Sequence, residues 1–239
     1  MAARTLRDNL QRIRDRIAEA CHRVGRTPDS VALVAVTKTV ELPMIRRLVE
    51  LGQLDLGENR VQQLVERAEQ AAAWKDDPSL GMIRWHMVGH LQRNKVRPLL
   101  PWLYRLHSLD SLRLAEELNN QASRANLTVA AYLEVNASGE KTKTGVAVGA
   151  ATHLLEQIRT LRHIRVIGLM TMAPLASDPE TVRPVFVRTR ELFEEIRSTP
   201  SVGPEFTGLS MGMSQDYEVA IEEGATVVRI GTALFEGVR

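Results

Sequence analysis

Eight short β-rich runs separated by helical patterns constrain this chain of 239 residues more than any other feature. The runs are VALVAVT from Val31, LDLGE from Leu54, MIRWHMVG from Met82 and LYRLHS from Leu103. They continue with TVAAYLEVN from Thr128, IRVIGLMTM from Ile164, EFTGLS from Glu205 and TVVRIG from Thr226. Between them lie helix-like stretches such as LPMIRRLVELG, RVQQLVERAEQAAAW and DSLRLAEELNNQASRAN. In the longest, PETVRPVFVRTRELFEEIRS, Pro184 falls in the first turn, where a missing N–H is tolerated. Strands apolar on both faces and separated by helices imply a parallel sheet. Eight such units in about 200 residues predict a (β/α)₈ barrel at the lower end of the usual size. A doubly wound open sheet is the alternative, and no Gly-x-Gly-x-x-Gly follows an early strand to support its dinucleotide-binding form. The fold class is therefore α/β: a single TIM-like barrel over 31–235, with an extra N-terminal helix within 1–27 and a short last helix in GTALFEG. No linker-like run divides residues 1–239, which read as one domain.

Hydrophobic content of 44% suffices for a sizeable core, and a net charge of +2 gives no general support to polyanion binding. Basic residues cluster in the first helix, but Asp8, Asp15 and Glu19 interleave with them, so a solvated amphipathic face is expected and not nucleic-acid contact. Cys21 is the only cysteine, which excludes an intrachain disulfide and fits a reducing compartment. No apolar stretch approaches the roughly 20 residues that cross a bilayer. The N-terminus also lacks the apolar segment of a secretory signal. The expectation is a cytoplasmic protein without membrane contact.

Active residues of such barrels come from the C-terminal ends of the strands and the loops that follow. Lys38, Glu58, Asn59, His86, His90, His107, Asn136, Met170, Ser210 and Arg229 all fall at or near these ends. Lys38 closes the nearly all-apolar run Val31–Val36. An ammonium there is solvated, paired or chemically used, and a lysine pushed toward its neutral form is what a Schiff-base nucleophile requires. Ser210 and Gly212 shape the turn after the seventh strand, and Gly231 with Thr232 the turn after the eighth. Unpaired N–H groups at two adjacent helix starts can hold a phosphate, although Ser210, Ser214 and Thr232 could equally be ordinary caps. Arg229 lies inside an apolar strand and needs a partner, either a ligand ring nitrogen or carboxylate or a structural ion pair. Together these features suggest a phosphorylated carbonyl compound, with pyridoxal phosphate (PLP) foremost. His86 and His90 have the spacing of a helical metal site, but a strand ends between them and no HExxH pattern is present. No metal is expected, and the two read as hydrogen-bonded rim histidines.

The blocks AVTK, GENRVQQL, WHMVGHLQRNK, LHSLD, LEVN with KTKTGV, GLMTM and LSMGMSQDYEVAIEEGATVVRIGTALF resemble, in order, those of the PLP homeostasis protein family. The resemblance runs from Val31 to Phe235 and implies a monomeric PLP-binding barrel similar to the N-terminal domain of alanine racemase. It matches Lys38 to the lysine that forms a Schiff base with PLP. Ser210, Gly231 and Thr232 match phosphate-binding positions, Arg229 the arginine facing the pyridine nitrogen, and Asn59 and Met170 positions lining the cofactor. Ala137 and Gly139 depart from the bulkier family pattern, away from the cofactor contacts. The function implied is cofactor storage, buffering or delivery without turnover, with PLP-dependent apo-enzymes or PLP-producing enzymes as partners. The alternative is a PLP-dependent amino-acid racemase or decarboxylase. Racemisation by the related fold uses a second base from an additional β domain, for which the eight barrel units leave no residues. An arginine at the ring nitrogen also weakens the electron sink.

Overall fold

The computed structural model describes residues 2–74, 76–77, 80–140 and 143–238, so Lys141 and Thr142 of the KTKTGV block lie outside the described residues. All eight expected strands form. They are β1 (Ala32–Val36), β2 (Asp55–Glu58), β3 (Arg84–Met87), β4 (Leu103–Leu109), β5 (Val129–Asn136), β7 (Ile164–Met170), β8 (Gly208–Ser210) and β9 (Val227–Ile230). Each pairs in parallel with its neighbours, and β4 against β5 closes the ring. Closure leaves no free edge, which is why strands of only three to eight residues suffice. A two-residue strand, β6 (Val146–Ala147), adds to the end of β5 outside the ring and was not expected from the sequence.

The helices are α1 (Ala2–Arg23), α2 (Leu42–Glu50), α3 (Val61–Ala71), α4 (Val96–Leu99), α5 (Leu112–Arg124), α6 (Ala151–Ile158), α7 (Arg183–Arg197) and α8 (Tyr217–Glu222). Their apolar stripes bury against the outward-facing strand residues, as Ile45 and Leu48 of α2, Leu64 of α3 and Leu56 and Ile230 of the sheet do in one core. The expected last helix is absent. Residues after β9 make a single turn, with Leu234 and Phe235 donating to Gly231 O, which is too short to propagate. Pro184 does sit in the first turn of α7.

α1 packs by the spacing of Leu6, Leu10, Ile13, Ile17 and Ala20, all buried. Asn9 on the same helix donates to Leu234 O at 3.0 Å and Glu236 O at 2.8 Å, pinning the turn after β9. Several of its basic residues face acids of this chain, Arg23 reaching both Glu218 and Glu222. These half-exposed pairs are each worth about 0–1 kcal/mol. No helix among the described residues is long and apolar enough to cross a membrane.

Candidate functional site

Strand alternation decides which side chains enter the barrel. Val34, Tyr132, Met170 and Val227 meet there in a small apolar cluster. Gly57 and Gly208 face the same space, since a Cβ on either would strike Val34 or Tyr132. Val88 and Ile167 pack against this cluster, and other inward positions are polar. Asp55 takes a bidentate pair of hydrogen bonds from Arg84, at 2.7 and 2.5 Å. His86 Nε2 lies 3.0 Å from the same carboxylate, and His86 Nδ1 lies 2.9 Å from His107 Nε2. His107 Nδ1 lies 2.8 Å from Ser210 Oγ. Arg229 completes the chain, donating through Nη1 to Ser210 Oγ and Ser210 O, each at 2.7 Å, and through Nη2 to Thr171 O at 3.0 Å.

Burial dominates the electrostatics. It pushes His86 and His107 below the usual imidazole value, and for His107 the charges of His86, Arg229 and Arg105 act in the same sense. Burial works to raise Asp55 too, but the bonds from Arg84 and His86 outweigh it and hold the carboxyl well below the ordinary range. Arg229 is pushed down to about 10 by burial, opposed by the charges of Asp216, Glu134 and Tyr132. It stays a cation at neutral pH. Among the described residues no carboxylate lies within ion-pair distance of it, so its direct partners are all neutral.

At the C-terminal end of the barrel, Lys38 stands solvent-exposed in the turn after β1. Of the states left open for this ammonium the solvated one is found: β1 ends at Val36, and Lys38 lies in the turn beyond it. That turn is held from outside. Arg67 of α3 donates to Thr37 O at 2.8 Å, to Val40 O and to the buried Glu58, while Thr37 Oγ1 also donates to Glu58. Gln63 Nε2 donates to Lys38 O at 3.1 Å. Glu58 therefore faces the helix layer and not the mouth, and burial raises its pKa despite these bonds. Asn59 is half-buried at the end of β2, and Met170 is fully buried in the apolar cluster beneath the mouth.

The turns after β8 and β9 lie side by side. Arg229 N–H donates to Gly212 O, and Met211 N–H to Val227 O. Two residues beyond Arg229, Gly231 opens the turn after β9, beside the gap between the two turns; its N–H is exposed by the end of strand pairing. Neither it nor the Thr232 N–H has a hydrogen-bond partner among the described residues. Ala233 N–H donates to Ser214 Oγ at 3.2 Å across that gap. Glycine is required on both sides: Gly212 has φ +96°, and a Cβ on Gly231 would sit 3.0 Å from Val36 O. The cradle is thus built from two irregular turns, since α8 begins only at Tyr217 and no helix follows β9. Ser210 does not open into it; its side chain is fully buried, with its hydroxyl engaged by His107 and Arg229. Ser214 places its hydroxyl at the gap.

The structure separates the two histidines of the third block. His86 is interior, whereas His90 is exposed and 3.3 Å from Asp110. The Asp55–His86–His107 chain was missed in the sequence. Its signal was there: RWHM and YRLHS each place two polar residues two apart among apolar neighbours.

A parallel barrel with a lysine, a buried arginine and paired glycine turns at one end defines a class. The family described as alanine racemase, N-terminal domain, matches residues 4–238. Within that class the chain belongs to the pyridoxal phosphate homeostasis proteins. The relative of that name from Aquifex aeolicus is 42% identical over 228 residues, covering 95% of this chain and 96% of its own. A crystal structure of an unknown protein from Bifidobacterium adolescentis superposes with a TM-score of 0.89 at 36% identity, covering 98% of this chain and 96% of that one. PipY of Synechococcus elongatus PCC7942, solved with PLP bound, superposes with a TM-score of 0.77 at 33% identity, covering 92% and 99%.

Proposed function

We propose that this protein binds PLP reversibly at the C-terminal mouth of its barrel and stores, buffers or delivers it without catalytic turnover. The observation that carries the reading is the pairing of a buried, carboxylate-free Arg229 with the free N–H groups of Gly231 and Thr232. A dianion and a ring acceptor would satisfy both. The residues fit the cofactor. Gly231, Thr232 and Ser214 receive the phosphate, Arg229 donates to the ring nitrogen, and Asn59 and Met170 bound the ring. Ser210 serves through Arg229. Lys38 is the amine that holds the aldehyde as a Schiff base.

When bound, PLP supplies an electrophilic aldehyde that condenses reversibly with primary amines. The protein's part is to orient and protect it. An N–H donor at the ring nitrogen leaves that nitrogen without a proton, so the ring withdraws electrons weakly. Exposure of Lys38 leaves the bond open to water and small amines, which suits release. The family name and the PLP-bound PipY support this reading. The same proposal takes the protein to act as a cytoplasmic monomer of one domain, exchanging PLP with apo-enzymes that need it or enzymes that make it. Borohydride reduction of the PLP-loaded protein should fix a pyridoxyl group on the peptide containing VAVTK. Modification chiefly at Lys95 or Lys143 would refute the assignment of Lys38.

A further inference from the structure

The polar chain across the barrel has a single consistent arrangement of protons. Asp55, held ionised by Arg84, can only accept, so His86 carries its proton on Nε2. A neutral His86 then accepts at Nδ1, which fixes the proton of His107 on Nε2. His107 accepts in turn at Nδ1, so the Ser210 hydroxyl must donate to it. Only the lone pairs of Ser210 Oγ remain for Arg229, which has no acceptor of its own. Each link has one donor and one acceptor, and the direction is set at the ends by a carboxylate and a guanidinium.

We propose that His107, acting through Ser210, is a positioning residue for Arg229: it turns the Ser210 proton away, so that the guanidinium is locked in place and presents only N–H donors to the ring nitrogen of PLP. This rests on the reading of the site as a PLP site. The groups facing His107 are His86 from β3, Arg105 from its own strand, Tyr132 from β5 with ring centroids 4.7 Å apart, Ser210 from β8 and Arg229 from β9. Protonating His107 would set a third cation beside Arg229 and Arg105 and point an N–H at Ser210 Oγ, so the chain holds only with neutral imidazoles. The Ser210 hydroxyl is thereby committed inward and is not available to the phosphate turns. Because Arg229 cannot release its proton, the chain orients and does not conduct.

The first test needs no cofactor. Nitrogen-15 NMR of the unliganded protein at neutral pH should show His86 and His107 as neutral tautomers with Nε2 protonated and Nδ1 bare. A proton on Nδ1 of either ring would overturn the proposal. The second uses the PLP-loaded protein. His107→Leu removes the acceptor for Ser210, whereas His107→Asn keeps one near the Nδ1 position. His107→Leu should shift the visible band of the bound cofactor and weaken PLP binding roughly tenfold, the loss of about one hydrogen bond, with Asn close to wild type. Identical spectra in all three, or equal shifts in both variants, would overturn it. Should the Leu variant not fold, Ser210→Ala removes the same contact to Arg229 and must give the same shift. If the wild type takes up no PLP, the functional reading fails by itself, and the tautomer measurement still decides the proton arrangement.

Discussion

Arg67→Met tests how the Lys38 turn is held. Arg67 is buried on α3 and bonds the carbonyls of Thr37 and Val40 together with the carboxylate of Glu58, whose side chain is fully buried. Methionine matches the length of the stem and removes every bond. Breaking one partner out of a buried ion pair costs about 3–5 kcal/mol, because the other charge is left without compensation. Glu58 can escape part of that by protonating, after which only neutral hydrogen bonds are lost, about 1–3 kcal/mol in all. Burial already raises its pKa in the native protein, and losing Arg67 removes one of the influences that lower it. A carboxyl whose folded pKa exceeds its unfolded value contributes stability that is complete below the unfolded pKa and is lost as pH rises through the folded one. The variant should therefore be destabilised by about 2 kcal/mol near pH 5 and about 4 kcal/mol near pH 8. Urea unfolding followed by circular dichroism at both pH values measures this. Glu58→Gln in the same background should remove the pH dependence. Equal losses at the two pH values, or a loss under about 1 kcal/mol, would refute the account of the pair.

Three further outcomes follow from the site. Lys38→Ala should abolish the visible band of the PLP-loaded protein and its borohydride-fixed adduct while leaving the fold intact, as circular dichroism would report; a persistent band would move the attachment elsewhere. Pyridoxal without its phosphate should bind far more weakly than PLP, since each charge-assisted bond from the Gly231 and Thr232 amides contributes about 1.5–3 kcal/mol; equal affinities in a titration would remove the cradle's role. Finally, the loaded protein should exchange the α-hydrogen of no L- or D-amino acid in deuterated water at an enzymatic rate. Exchange faster than about one turnover per second would restore the racemase reading.

The barrel was legible because its signal repeats. Eight apolar runs separated by helical patterns leave few topologies, and parallel pairing then sends every C-terminal strand end to one side. From that pattern Lys38, Arg229, Gly231 and Thr232 are expected at one end of the barrel, where their strands do end. What could not be read depends on side-chain direction and loop path. Glu58 lies one residue before Asn59, and that single step turns it outward to Arg67 and away from the mouth. Ser210 and Ser214 both flank a glycine turn, and only the path of that turn decides which hydroxyl reaches the gap. His86 looked like a rim residue because it lies near the end of its run, and strand ends are uncertain by a residue or more.

The interior chain also explains how a buried arginine is tolerated here. Burying a guanidinium is costly unless its donors are met, and an adjacent carboxylate would be the usual answer. Here the carboxylate, Asp55, sits at the far end, with His86, His107 and Ser210 in between. Each neutral link is polarised in the same sense, so Ser210 Oγ presents a strengthened acceptor to Arg229 without bringing a negative charge to it. The nearest acids that act on Arg229 through space, Asp216 and Glu134, are themselves buried and shifted toward their neutral forms. The cation is thus satisfied by hydrogen bonds but left electrostatically under-compensated. Under the proposed function, a phosphorylated ligand held at the Gly231 turn would supply the missing negative charge. Reversible retention of such a ligand is what this balance would favour, since Arg229 has hydrogen-bond partners without it and would gain a countercharge when it arrives.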